Sequence, residues 1–270
     1  MKYRNILAFF LAALPVSVII RLLQVLYVTE PVTGFVKKGF EGVNALMVII
    51  MVISVSVTAI LSFTAYRQPT KPPRFNPLLA VASFALAGSM AYEIINESFV
   101  SAVRYWQIIL LDIFGMLSVL FFIIYGIALF IRLPLPRLLS LIPAVYCIMR
   151  LICIFTTISS LTLVMDNVMI LASYCAVLLF FTSFAKLYNG IDSEHNFRKL
   201  LASGLCSAVI CFADSVPRVI IRITGNASAL RHSASSTAAI LLFGVFSLVF
   251  TLTFFSRRNR EENNKPTHRH

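Results

Sequence analysis

The chain has 270 residues, of which 59% are hydrophobic and only 13% charged, with a formal net charge of +12. A soluble chain carries about 25% charged residues to cover its surface, so this composition, with a mean hydropathy of +0.88, excludes a water-soluble domain. The positive charge does not indicate nucleic acid either. The basic residues sit between and after the hydrophobic blocks, which is the positive-inside distribution.

The blocks are about 20 residues long, the length that spans about 30 Å of hydrocarbon at about 1.5 Å per residue. They must be helices, because lipid offers no water to a free backbone group. Eight spans are expected, at roughly 5–28, 43–66, 77–98, 107–131, 138–161, 166–189, 200–223 and 235–256. With the N-terminus in the cytoplasm, fifteen Lys and Arg fall in inside segments, counting the boundary residue Lys186, four in outside loops and the other four within spans. The expected fold class is therefore an all-α integral membrane protein of the cell membrane, a bundle of about eight transmembrane helices with both termini cytoplasmic. One polytopic domain covers 1–256, and 257–270 reads as a basic disordered cytoplasmic tail able to touch anionic lipid.

The first span begins like a signal peptide, but its apolar run continues past Ile20 to Val28 with no small-x-small cleavage site, so it is read as retained. The loop Thr29–Gly42 suits the membrane surface, and RQPTKPPRFN at 67–76 is a rigid proline-rich turn. The third span is rich in small residues, including Ala85 and Gly88, and the seventh has Ala202, Ser203, Gly204, Ser207 and Ala208. Small residues let helices approach closely, so these two belong in the interior. The second and eighth spans carry no embedded charge and are expected at the periphery.

The seventh span is the most informative. Ser203, Ser207, Cys211, Asp214, Arg218 and Arg222 fall within an arc of about 100° at about 100° per residue. A charge facing lipid costs at least about 2.5–3.5 kcal/mol, so this stripe should face protein or water. Pro217 removes a backbone hydrogen bond and should bend the helix, freeing the Ala213 carbonyl beside Asp214. Other spans hold charges at the same depth, displaced toward the outside: Arg21 with Gln24 and Ser17 on the first, Glu93 and Glu97 on the third and Asp112 on the fourth. Arg150 lies on one face of the fifth with Tyr146, Cys153, Thr157 and Ser160, and Asp166 with Asn167 marks the mouth of the sixth. Lys186, in the inner half, reads as a snorkelling residue. The polar-layer candidates are Asp214, Arg218, Arg150, Glu93, Glu97, Asp112 and Arg21. Asp214 and Arg218 are expected to face Arg150 and at least one of Glu93, Glu97 and Asp112 across a polar cavity. The bland alternative is that the charges only pair and hold helices together.

Catalytic signatures are mostly absent. His195, His232, His268 and His270 all lie in loops or the tail, so no intramembrane metal site is expected, nor any cofactor, and HExxH, GxSxG and phosphate loops do not occur. Cys147, Cys153, Cys175, Cys206 and Cys211 lie within spans without a CxxC and read as packing residues. The glycosylation triplets at Asn96 and Asn226 are taken as chance matches.

The opening with Arg21, the loop TEPVTGF at 29–35 and the stretch FAKLYNG at 184–190 resemble uncharacterised multi-span membrane proteins of anaerobic Gram-positive bacteria. That resemblance implies a bacterial origin and a family without an assigned activity, and no functional residue is carried over. Three functions remain in view. The first is a small-solute or ion transporter, or a membrane-embedded binder, with a polar pocket in the outer half of the bundle. The second is an accessory or scaffold subunit of a membrane complex, and the third an intramembrane enzyme using Glu93, Glu97, Asp112 or Asp214. The last ranks lowest, because no nucleophile or metal set accompanies the acids. The partners implied are the lipid bilayer, an anionic or polar small ligand or a membrane protein partner, and no nucleic acid.

Overall fold

The computed structural model describes residues 3–30, 35–64, 76–100, 106–131, 136–158, 165–191, 193–225 and 233–263. Eight long helices account for nearly all of them: α1 (Tyr3–Leu23), α2 (Glu41–Phe63), α3 (Pro77–Val100), α4 (Trp106–Ile131), α5 (Ile142–Ile158), α6 (Met165–Asn189), α7 (Ser193–Ile223) and α8 (Ala234–Asn263). All eight, α5 together with the 3-10 turn Arg137–Leu141 before it and α1 together with the residues through Val28, give a stretch long and apolar enough to cross a membrane. The expected spans coincide with them to within a few residues, apart from α7, which starts seven residues before the expected 200. α8 runs on through Asn263, beyond the expected boundary at 256, and 264–270 lie outside the described residues with most of the 67–76 turn and the Asn226 triplet.

Helix ends follow local chemistry. Asn76 caps α3, its Oδ1 accepting from the Leu78 and Leu79 amides at 3.0 and 3.4 Å, and Pro77 takes the first helical position, where its missing N–H is harmless. Gly190 ends α6 at φ +70°, and the Ile191 amide reaches back to the Lys186 carbonyl at 3.0 Å, a closure that favours glycine in the left-handed position. Past Leu23 the chain widens into a π-turn over Gln24–Val28, closed by the Thr29 amide donating to the Gln24 carbonyl at 3.0 Å. That turn keeps Gln24 and Val28 buried.

α3 packs against α4 and α8, α4 against α5, α5 against α6, α6 against α7, and α7 against α8, so six helices close a circuit. α1 and α2 pack on each other and on α7, outside the circuit. The centre is filled by aromatic rings from three helices. Phe122 of α4 meets Phe246 of α8 at 5.3 Å, Phe184 of α6 meets Phe250 at 5.1 Å, and Phe181 meets Phe243 at 5.9 Å. Offset and edge-on pairs of this kind each add about 0.5–1.5 kcal/mol beyond their burial. The outer surface is apolar along its length, with Leu11, Val52, Ile53, Leu120, Ile124 and Phe155 all exposed. Water tolerates contiguous exposed apolar patches of no more than a few hundred Å², so this exterior suits hydrocarbon.

α7 is an interior helix, as its small residues imply: from Leu200 to Val219 no residue is exposed, whereas α3 buries one face and exposes Leu78, Val81, Phe84, Tyr92 and Ile95 on the other. α2 is peripheral and buries a narrow stripe that includes Met51, Thr58 and Ser62. α8 is not peripheral, since no residue between Ser235 and Phe254 is exposed. The absence of charge was a poor guide there, because a helix packed in an apolar core and one facing lipid need the same side chains. Ala85 and Gly88 also lie elsewhere than expected. Both are exposed, and a Cβ on Gly88 would meet nothing within 4 Å, while the packed face of α3 is Ala80, Ser83, Ala87 and Met90. Close approach is made at other glycines. A Cβ on Gly244 of α8 would stand 2.9 Å from the Cys211 Cβ of α7, and one on Gly126 of α4 would stand 2.8 Å from the Phe84 ring.

Gly244→Leu should therefore lower the melting temperature and folded yield in detergent, since overpacking costs about 1–3 kcal/mol. Gly88→Leu should leave both near wild type. Size-exclusion profiles with thermal denaturation check this, and equal loss in the two variants would overturn the α7–α8 contact.

Candidate functional site

Odd-numbered helices end, and even-numbered helices begin, at the same end of the bundle, and the buried charges gather there. Inside the six-helix circuit, Arg150 of α5 reaches α3. Its Nη1 and Nη2 donate to Glu97 Oε2 and Oε1 at 2.6 and 2.5 Å, and Nη2 also donates to Glu93 Oε1 at 2.6 Å. The fork is bidentate toward Glu97, the geometry in which guanidinium and carboxylate match best. Tyr146 OH stands 3.5 Å from Glu93 Oε2, Ser236 at the head of α8 lies beside the same carboxylate, and the Arg150 guanidinium carbon sits 5.8 Å from the Tyr174 ring centre. Asn96 Nδ2 donates to Ser235 Oγ at 3.1 Å and ties α3 to α8 at this level. The side chain of Glu97 is 33% exposed and that of Glu93 only 1%. With both acids ionised, the set carries one negative charge more than its arginine neutralises.

A second set joins α1, α2, α6 and α7. Arg21 pairs with Asp166 and donates through Nη1 to Gln24 Oε1 at 2.7 Å, and Gln24 Nε2 donates to Asn44 Oδ1 at 2.5 Å. Arg218 stands 2.7 Å from Asp214 Oδ1, one turn back on α7, and 3.9 Å from Asp166 Oδ1, while its Nη2 donates to the Asp166 carbonyl at 3.4 Å. Two arginines and two aspartates balance here. α7 runs unbroken through Pro217.

The expectation that Asp214 and Arg218 face Arg150 is thus corrected. Arg150 takes Glu93 and Glu97, whereas the charged groups around Asp214 are Arg218, Arg21 and Asp166. The reason is helix order. α5 and α7 are separated by α6, which turns Tyr174 toward Arg150 and Asp166 toward Arg21 and Arg218. Asp112 is half-buried on α4 and acts electrostatically on Cys153, beside the first set but not among its ion pairs described above. Asp166 was expected only at a helix mouth, yet two arginines share it. Its depth, level with Arg21 and Arg218, was the signal to use, because by count Asp214, Glu93 and Glu97 already match the three arginines. Tyr174, Ser236 and the Gln24–Asn44 pair carried no comparable signal. Among the described residues, no group of three or more His, Cys, Asp and Glu is placed to hold a metal ion.

No family model, curated protein or solved structure matches the chain.

Arg150→Met should cost about 3–5 kcal/mol, because it strands buried Glu93 without its counter-charge. Combined with Glu93→Gln it should cost less than the sum, with a coupling of about 0.5–3 kcal/mol, whereas Arg150→Met and Asp214→Asn should add within about 0.3–0.5 kcal/mol. Double-mutant cycles in reversible denaturation measure both. Strong coupling between Arg150 and Asp214 would merge the two sets into one.

Proposed function

We propose that the chain is a multi-pass protein of the cell membrane, with both termini cytoplasmic, that binds a small cationic solute in the Glu93–Glu97–Arg150 set and serves as a transporter or membrane-embedded receptor for it. The carrying observation is the surplus carboxylate inside the circuit, one of whose acids is a third exposed while the other is buried. A buried excess charge is expensive and is met by a counter-charge or a proton. Tyr146 and Tyr174 border the set, and Tyr174 already faces one cation, the Arg150 guanidinium at 5.8 Å, a kind of contact worth about 0.5–2 kcal/mol. An anionic ligand fits less well, because Arg21, Arg150 and Arg218 each already hold a carboxylate. Ionisable groups at such depth are costly enough that they commonly mark a binding site or pathway.

The solute reading is tested on purified protein in nanodiscs with guanidinium, ethylammonium and tetramethylammonium chloride against sodium acetate and phosphate. At least one organic cation should raise the melting temperature saturably, since ligand at about 100 times Kd adds about 2.7 kcal/mol. Glu97→Gln should remove the effect. Failure of all three cations, or stabilisation unchanged in Glu97→Gln, would overturn the reading.

Orientation is tested by single-cysteine labelling in a background lacking the five native cysteines. Positions 71 and 263 should react only from the cytoplasmic side, and positions 33 and 226 only from outside. Labelling of 263 from outside would reverse the expected topology.

A further inference from the structure

The set between α1, α6 and α7 contains an acid that the solute-binding reading does not use. Asp214 is fully buried, and neither of its carboxylate oxygens accepts a hydrogen bond from the described residues. Its contact with Arg218 at 2.7 Å is a contact of charge without hydrogen-bond geometry. The same guanidinium is shared with Asp166, and its Nη1 has no hydrogen-bond partner. A buried ionised carboxylate offers about four acceptor sites and is ordinarily satisfied by donors. Asp214 is left with half an arginine.

A neutral carboxyl group needs less, since its O–H seeks one acceptor. Unused acceptors lie on both α1 and α7. Ile6 and Phe10 of α1 pack in one cluster with Phe197, Leu201, Leu205, Ala208 and Val209 of α7, and Ser17 lies one turn before Arg21 farther along α1. Ser17 Oγ is buried and has no hydrogen-bond partner. In the turn of Asp214 itself, Pro217 supplies no N–H to the Ala213 carbonyl.

We propose that Asp214 is a reversible proton-binding site at the α1–α7 contact. A proton from the aqueous phase forms an O–H bond to one carboxylate oxygen and no other covalent bond changes. The charge holding Arg218 to Asp214 is cancelled, and Arg218 passes wholly to Asp166 at the head of α6. The charged groups that act on Asp214 are Arg21 on α1, Asp166 on α6 and Arg218 on α7, where Cys211 lies one turn back and Arg222 two turns on, beside Arg218. α2 brings Asn44 and has its one acid, Glu41, exposed in its first turn, and α8 has no charged residue between Ala234 and Phe254. Protonation therefore alters which helix pair Arg218 joins, α7 to itself or α7 to α6. The inference stands on the orphaned carboxylate and does not depend on the cation reading of the other set.

The test is infrared spectroscopy of the purified full chain in nanodiscs across a pH series. Wild type should show a protonated-carboxyl stretching component that titrates, is absent from Asp214→Asn and is retained in Glu93→Gln. In Asp166→Asn its midpoint should move to lower pH by about one unit or more, because a neighbouring negative charge is lost and Arg218 is left to Asp214 alone. Survival of every component in Asp214→Asn overturns the proposal, as does an unmoved midpoint in Asp166→Asn, which decides the matter alone if Asp214→Asn does not fold. Loss of cation stabilisation in Glu97→Gln bears on the other set and leaves this outcome untouched.

Discussion

A guanidinium taken out of water keeps its proton, so every buried arginine must bring a carboxylate with it. Arg21, Arg150 and Arg218 impose that requirement at one end of this bundle, and the arrangement of helices there answers it. α5 is fastened to α3 through Glu93 and Glu97, and α1 to α6 through Asp166. Apolar side chains cannot specify such pairings in hydrocarbon, where lipid tails satisfy them as well as another helix does. Packing and charge must set the order, and here charge sets it at one end while aromatic packing sets it along the middle.

The two sets differ in what they leave over. The α1–α6–α7 set balances two positive against two negative charges and leaves hydrogen-bonding capacity unused at Asp214, Ser17 and Arg218. The circuit set satisfies its four carboxylate oxygens, leaves Arg150 Nε and the Tyr174 hydroxyl without a partner, and carries a surplus acid. Surplus charge attracts a counter-ion, whereas unused hydrogen-bonding capacity invites a proton or water. α6 keeps the two problems apart by presenting Tyr174 to one and Asp166 to the other.

Much of this was legible in the chain. The eight spans followed from block length and hydropathy, because helix is the structure that hydrocarbon permits. The depth of the charges was legible too, since rise per residue converts sequence position into height. Azimuth was not. Periodicity places Asp214 and Arg218 on one face of α7, and Arg150 and Tyr146 on one face of α5, but nothing in either stripe says which helix it meets. The intervening α6 broke the expected Asp214–Arg150 contact. Small residues misled at Ala85 and Gly88 for a related reason: Gly88 stands open while Gly244 and Gly126 sit against neighbours, and composition does not distinguish them. Lack of charge likewise described α8 and α2 alike, although one is enclosed and the other half bare.

The filling of the circuit constrains any transport through it. Below Arg150 the rings of Tyr146 and Tyr174 lie 6.4 and 6.2 Å from Phe243, and Phe181, Phe246, Phe184 and Phe250 continue the column to the pair Tyr125–Tyr188, whose hydroxyls meet at 2.9 Å. A solute entering at Glu97 would therefore reach a packed aromatic floor. Passage to the other end requires α4, α6 and α8 to separate along this column, because interdigitated rings at native density leave no gradual way through. α6 is the helix that both charge sets grip, through Tyr174 on one side and Asp166 on the other, and it also supplies the middle of the column. A change of charge at Asp214 that draws Arg218 onto Asp166 would thus act on one of the three helices whose separation opens the floor beneath Arg150.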